Sequence, residues 1–153
     1  MDLVSITFWF SSSFIFPMWV LMWFLPKHDI TRKIVGNLKI CIFPLIASYS
    51  ILLLPNMGKV LITLASDMPT PEIVVELFST EQMIILAWLH FLVMDTFIGR
   101  YIWMRMLAAG RPIQISAPVL ITCMMLGPIG LLAGVIATLD VEDDISVPTR
   151  PIE

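Results

Sequence analysis

Charge is what this sequence lacks most. Asp, Glu, Lys and Arg make up 14% of its 153 residues, where a soluble domain carries about 25%. So few charges argue against a water-soluble globule. No basic face is present, so no nucleic-acid partner is expected. Cysteine is scarce as well. Cys41 and Cys123 lie in apolar runs without a CxxC partner, which reads as two small buried hydrophobes and no disulfide framework. There is no His/Cys cluster at zinc spacing, no phosphate-cradling glycine loop and no GxSxG, so no metal site is expected. No internal repeat or low-complexity segment divides the chain.

What the sequence has is apolar side chains. They make up 58% of it, and the mean hydropathy is +0.91. A helix that spans a bilayer needs about 20 mostly apolar residues. Four segments come close or qualify, over residues 3–25, 38–55, 82–107 and 117–139. The expected fold is therefore all-α, a single integral membrane domain built as a four-transmembrane-helix bundle. The first segment is too long, and lacks the basic start, for a cleaved signal peptide. Ser116 is a candidate cap for the fourth helix. Between the second and third segments, "TPEIVVELFS" places a capping Thr70, Pro71 and Glu72 before a helical apolar spacing. This predicts a short amphipathic helix at the membrane surface. The acidic tail, 140–153, is expected outside the bilayer.

The charges are unevenly placed. Lys27, Arg32, Lys33, Lys39, Arg100, Arg105 and Arg111 flank the first and third connections. Ten of the twelve acids fall on the opposite side in a four-span layout. The positive-inside rule then predicts both basic connections in the cytoplasm or stroma and both termini outside. Trp19, Trp23, Tyr101 and Trp103 are expected to form an aromatic belt at the inner interface.

Three ionisable residues interrupt the third segment: His90, Asp95 and Arg100. A charge at the centre of a spanning helix costs about 2.5–3.5 kcal/mol on insertion scales. Arg100 can reach toward the inner headgroups, but Asp95, near the middle, is too short. It is expected to be protonated, paired or in a wet cavity. Neighbours on a helix are three or four residues apart, so a spacing of five sends the three side chains in different directions. Asp95 shares a face with Trp88 and Gly99, His90 with Met94 and Phe97, Arg100 with Thr96 and Trp103. Their partners are expected on other helices, a cofactor or another chain. Candidates are Thr7, Ser11, Ser12 and Ser13 on the first helix, Ser48, Tyr49 and Ser50 on the second, and Thr122 on the fourth. Gly127, Gly130 and Gly134 allow close packing. Pro128 is expected to bend the fourth helix and free a carbonyl. The expected ligand contacts are thus Trp88, Tyr49, Gly99, Gly127 and Pro128. A histidine at this depth also suits the axial position of a chlorophyll or haem.

The stretch "WLHFLVMDTFIGRYIWMRML" resembles the signature of the ABA4-like family, the neoxanthin-deficiency proteins of plants and their bacterial relatives. Its pattern falls on His90, Phe91, Leu92, Asp95, Gly99 and Arg100. "GPIGLL", Gly127 to Leu132, is similar to a glycine–proline step in the family's last helix. The resemblance implies a role in carotenoid or isoprenoid metabolism. In plants the family is needed to turn violaxanthin into neoxanthin, an isomerisation that opens an epoxide to an allene. By resemblance, Asp95 becomes a candidate general acid, with His90 or Arg100 stabilising negative charge. The sequence shows no plastid transit peptide, so a bacterial inner or photosynthetic membrane, or an organelle equivalent, is the expected setting. The expected function is a membrane protein that binds a lipophilic small molecule, such as a carotenoid, between helices and isomerises it. The alternative is a non-enzymatic accessory subunit of a larger photosynthetic complex, packed against a chlorophyll-type pigment or other membrane subunits. A transporter fits less well, since no inverted repeat is visible.

Overall fold

The computed structural model describes residues 2–66 and 70–141, and these contain helices and no strand. The chain begins with α1, Leu3–Phe24, capped by Asp2, whose carboxylate accepts from the Ser5 amide. That hydrogen bond holds the Asp2 carboxyl below the usual carboxylate range. A short α2, Asp29–Ile34, turns the chain. Then α3, Leu38–Cys41, and α4, Phe43–Leu53, rise together. They join at Ile42, and Pro44 follows in the first turn of α4, where its missing N–H interrupts little. A single 3₁₀ turn, Leu54–Asn56, leads into α5, Met57–Ser66. The second apolar stretch therefore runs on in helix well past residue 55. The expected amphipathic helix is present as α6, Pro71–Leu77, with Thr70 accepting from the Ile73 amide and Glu72 in the first turn.

The longest helix is α7, Glu81–Ala108. It and α1 are long and apolar enough to cross a membrane, whereas the α4 run and the two last helices are shorter apolar elements. The aromatic pair Phe8–Trp88 and the seating of Trp19 against Gly99 match α1 to α7 at a constant offset of eighty residues. The two helices therefore run side by side in the same direction. α3 and α4 return between them.

The expected fourth span, 117–139, is corrected by the structure. It is two helices, α8, Ile113–Met125, and α9, Gly127–Ala137, folded against each other. α8 begins at Ile113, before the expected cap, and the Ser116 hydroxyl donates back to the Pro112 carbonyl. The break is at Leu126, whose backbone leaves the helical region at φ −143, ψ 66. Beyond it, Gly130 lies against the backbone of Cys123 and Thr122, so α9 doubles back along α8. Its path is fixed by α7. Gly127 meets Asp95, Gly134 meets Ile102, and Thr138 meets Arg105. These contacts advance in step, so α9 runs parallel to α7 and α8 antiparallel. The predicted kink at Pro128 is a full reversal, and Pro128 sits in the first turn of α9.

The hairpin also moves Asp140 from the side expected of it. Arg111 donates to the Ala137 carbonyl and pairs with Asp140. Residue 140 is therefore beside the basic connection, at the end of the bundle opposite Asp2. The remaining acidic tail, 142–153, lies outside the described residues. The expected aromatic belt is corrected too. Trp19 and Trp103 are buried in the helix packing, and the Trp103 indole donates to the Pro26 carbonyl at 3.0 Å.

Candidate functional site

The structure sends His90, Asp95 and Arg100 to three different elements. Arg100 does not reach for headgroups. Its Nε donates to the Val35 carbonyl at 2.8 Å and its terminal nitrogen to the Gly36 carbonyl at 2.7 Å. It thus caps the carbonyl end of α2, which attracts a cation. His90 is exposed on the outer face, with the Tyr49 ring on α4 at 5.7 Å and Phe91 at 6.3 Å between centroids. Trp88, also exposed, pairs with Phe8.

Asp95 is half-buried and faces the turn of the hairpin. Its Oδ1 lies where a side chain on Gly127 would stand. A β-carbon at that position would collide with the carboxyl, so the absent side chain is what admits it. Gly127 is the first residue of α9, which puts the positive end of the α9 dipole beside the carboxyl. One turn along α7, Gly99 makes room for the Trp19 ring. Met125 and Leu126, at the apex, are 62% and 55% exposed, so the carboxyl lies beside the outer apolar surface.

Most of the candidate polar partners are engaged within their own helices. The Thr7 hydroxyl donates to Leu3 and Val4, Ser48 to Pro44, and Thr122 to Pro118. Among the described residues, four buried side-chain atoms have no partner: Ser11 Oγ, Ser12 Oγ, Trp19 Nε1 and Trp23 Nε1. All belong to α1. The offset between α1 and α7 sets Ile15 opposite Asp95. Ser11 and Ser12 are then one turn to one side of that level, and Trp19 one turn to the other. Buried donors normally find partners, and an exception points to a function. The sequence singled out the serines but read the two tryptophans as interfacial.

Apolar grooves open elsewhere. One is lined by Leu38, Lys39, Ile42, Phe43, Ile46 and Phe97, another by residues of α1 and α4 such as Phe10 and Ser48. Neither includes Asp95. No group of three or more possible metal-ligating side chains is found among the described residues.

The sequence also passed over Arg105, which it counted among the interfacial cations. Arg105 is 6% exposed and holds the end of α9. Its Nε donates to the Thr138 hydroxyl at 2.9 Å, and one terminal nitrogen donates to the Thr138 and Val141 carbonyls at 2.8 and 3.1 Å. An arginine in the last turn of an apolar helix was the available signal, since its five donors must be met somewhere.

A family model described as ABA DEFICIENT 4-like matches residues 6–133. That range takes in most of α1, all of α7 and the hairpin apex. Comparison with curated proteins and with solved structures finds no match.

Proposed function

The chain belongs to the ABA4-like family, and on that premise we propose a membrane protein of carotenoid or related isoprenoid metabolism that binds a lipophile at Asp95. The reading rests on one observation: a carboxyl on a long apolar helix, facing the apex of a helical hairpin, with unpartnered donors on α1 about one turn from its level. Irregular backbone at membrane depth is tolerated where it is buried or lines a site. The outer surface supports a bilayer setting. Phe16, Phe91 and Leu132 are 62%, 57% and 61% exposed on three different helices, and helices apolar on every side suit hydrocarbon.

In this reading α1, the α3–α4 run and α7 cross the bilayer, and α8–α9 dips in from the basic side. Cysteine labelling tests the arrangement, because native Cys41 and Cys123 are buried. Lys33→Cys and Asp140→Cys react with an impermeant maleimide from the same side, and Ser79→Cys from the other. Labelling of Asp140→Cys together with Ser79→Cys would restore a fourth span.

The site also suits acid catalysis of an isomerisation. Asp95 gives its proton to an oxygen of the ligand, such as an epoxide, and the carbon–oxygen bond opens. The carboxylate left behind is stabilised by the start of α9. It then takes a proton from carbon, so the proton count closes and no second reactant is needed. His90 and Arg100 face other elements and take no part in this step. Asp95→Asn keeps the shape and removes the acid. Its carotenoid product in a carotenoid-making host is expected to fall by at least about 100-fold, measured by chromatography. Full product formation by the variant would end the catalytic assignment.

A second reading draws on His90, exposed toward the outer apolar surface beside Tyr49. It makes the chain an accessory subunit on a pigment-bearing complex. A large coloured assembly after gentle solubilisation would favour it.

A further inference from the structure

Among the four unpartnered atoms, two belong to indoles that can only donate. A hydroxyl such as Ser11 or Ser12 can give or take a hydrogen bond, but an indole N–H has nothing to offer except its proton. Trp19 is fully buried and its Nε1 has no partner, and the same holds for the buried Nε1 of Trp23. A buried indole N–H usually finds an acceptor. Trp103 shows this in the same helix packing, since its indole is bound to the Pro26 carbonyl. Trp19 and Trp23 lie four residues apart on one face of α1, their rings at 6.0 Å. Trp19 also seats its ring on Gly99, one turn from Asp95. The donors thus form a row that starts one turn from the level of the carboxyl and runs toward the basic end.

We infer that Trp19 and Trp23 are ligand contacts, whose indole N–H groups hold acceptor oxygens of the lipophile and lay it along α1 from Asp95 toward the basic end. This rests on the Asp95 reading for the position of the site. It adds which side chains recognise the ligand, and which chemistry they select. The ligand carries oxygen acceptors on an otherwise apolar body. A pure hydrocarbon leaves both indoles unsatisfied and is rejected. Gly99 belongs to the same device, because only a residue without a side chain lets the Trp19 ring close on α7.

The test reads the indoles directly. Protein labelled with ¹⁵N-tryptophan is held in detergent, and the two Nε1–H resonances are assigned from Trp19→Phe and Trp23→Phe. Geranylgeraniol, an isoprenoid alcohol, is added as the probe, with squalene as the oxygen-free control. The expected result is a saturable downfield shift of the Trp19 resonance with the alcohol and none with squalene. Trp19→Phe removes the donor, and its smaller ring also gives up the packing of the indole on Gly99, so a modest loss of melting temperature is expected from the cavity alone. Its carotenoid product in the host is expected to fall about tenfold. A Trp19 resonance that ignores the alcohol, or answers squalene equally, overturns the inference. The Asp95 reading fails separately: Asp95→Asn retaining full product would sink it while leaving an oxygen-dependent indole shift intact.

Discussion

Replacing Arg105 with leucine is expected to lower stability by about 3–5 kcal/mol. The guanidinium is almost wholly buried and donates to Thr138 Oγ1 and to the Thr138 and Val141 carbonyls. It also lies over the Tyr101 ring, 5.8 Å from its centroid. Those carbonyls are at the end of α9, where a helix leaves acceptors without intrahelical partners. Leucine fills the volume but replaces none of these charge-assisted bonds, each worth about 1.5–3 kcal/mol; the Thr138 carbonyl keeps the Val141 amide at 3.1 Å, and the Val141 carbonyl loses its arginine donor. The Thr138 hydroxyl softens the loss slightly, because it keeps its own bond to the Gly134 carbonyl at 2.7 Å. A lysine at 105 keeps the charge and loses the fork, so it should fall between the two.

Arg111 provides the contrast. It is bound to the same end of the same helix, but its pair with Asp140 is solvent-facing, with side chains 32% and 55% exposed. Breaking that ion pair with Asp140→Asn is expected to cost under about 1 kcal/mol. Thermal unfolding in detergent separates the cases. At roughly 2–4 °C per kcal/mol for a chain of this size, Arg105→Leu loses about 6–20 °C. An Arg105→Leu protein that melts with Asp140→Asn would show that the buried network does not hold the hairpin.

The same two arginines explain what was legible in the sequence. α1 and α7 were, because a long apolar run has one common explanation and length decides it. α6 was, because Thr70, Pro71 and Glu72 are local start signals whose chemistry does not depend on the rest of the fold. The divergence of His90, Asp95 and Arg100 followed from helical spacing alone. The hairpin did not. Hydropathy adds up along a segment and carries no direction, so α8 and α9 together sum to one span. Gly127–Pro128 read as a kink because proline in a helix usually makes one. The distinguishing fact is tertiary: Arg105 and Arg111, at the end of α7, take their acceptors from residues 137–141. A spanning helix would have carried those acceptors to the far side. Asp140 counted toward the acidic side of the four-span layout, but it sits with the cations rather than across from them. The tryptophans were misassigned for a related reason. An interfacial belt and a buried donor row have the same composition, and only packing against Gly99 tells them apart.

Two glycines of the hairpin should then fail in opposite ways when each becomes alanine. Neither has a positive φ, so the backbone accepts alanine at both and the outcome is decided by what the new methyl meets. At Gly130 it meets the Cα and N of Cys123 and the carbonyl carbon of Thr122, all backbone of the antiparallel partner. Nothing there can rotate aside, so the hairpin must open. The penalty for such overpacking is about 3 kcal/mol, against about 1 kcal/mol gained from alanine's helix propensity, so Gly130→Ala destabilises on balance. At Gly127 the methyl meets Asp95 Oδ1, the end of a side chain that can turn away. Gly127→Ala is therefore expected to melt within about 1 kcal/mol of the native protein. What it loses is the position of the carboxyl. Product formation in the carotenoid-making host should then drop nearly as far as in Asp95→Asn, with the fold intact. The pair is read as melting temperature against product. Gly130→Ala that is as stable as the native protein would refute the close approach of α9 to α8. Gly127→Ala with native product levels would detach Asp95 from the apex, and with it the role of the α9 N-terminus in stabilising the carboxylate.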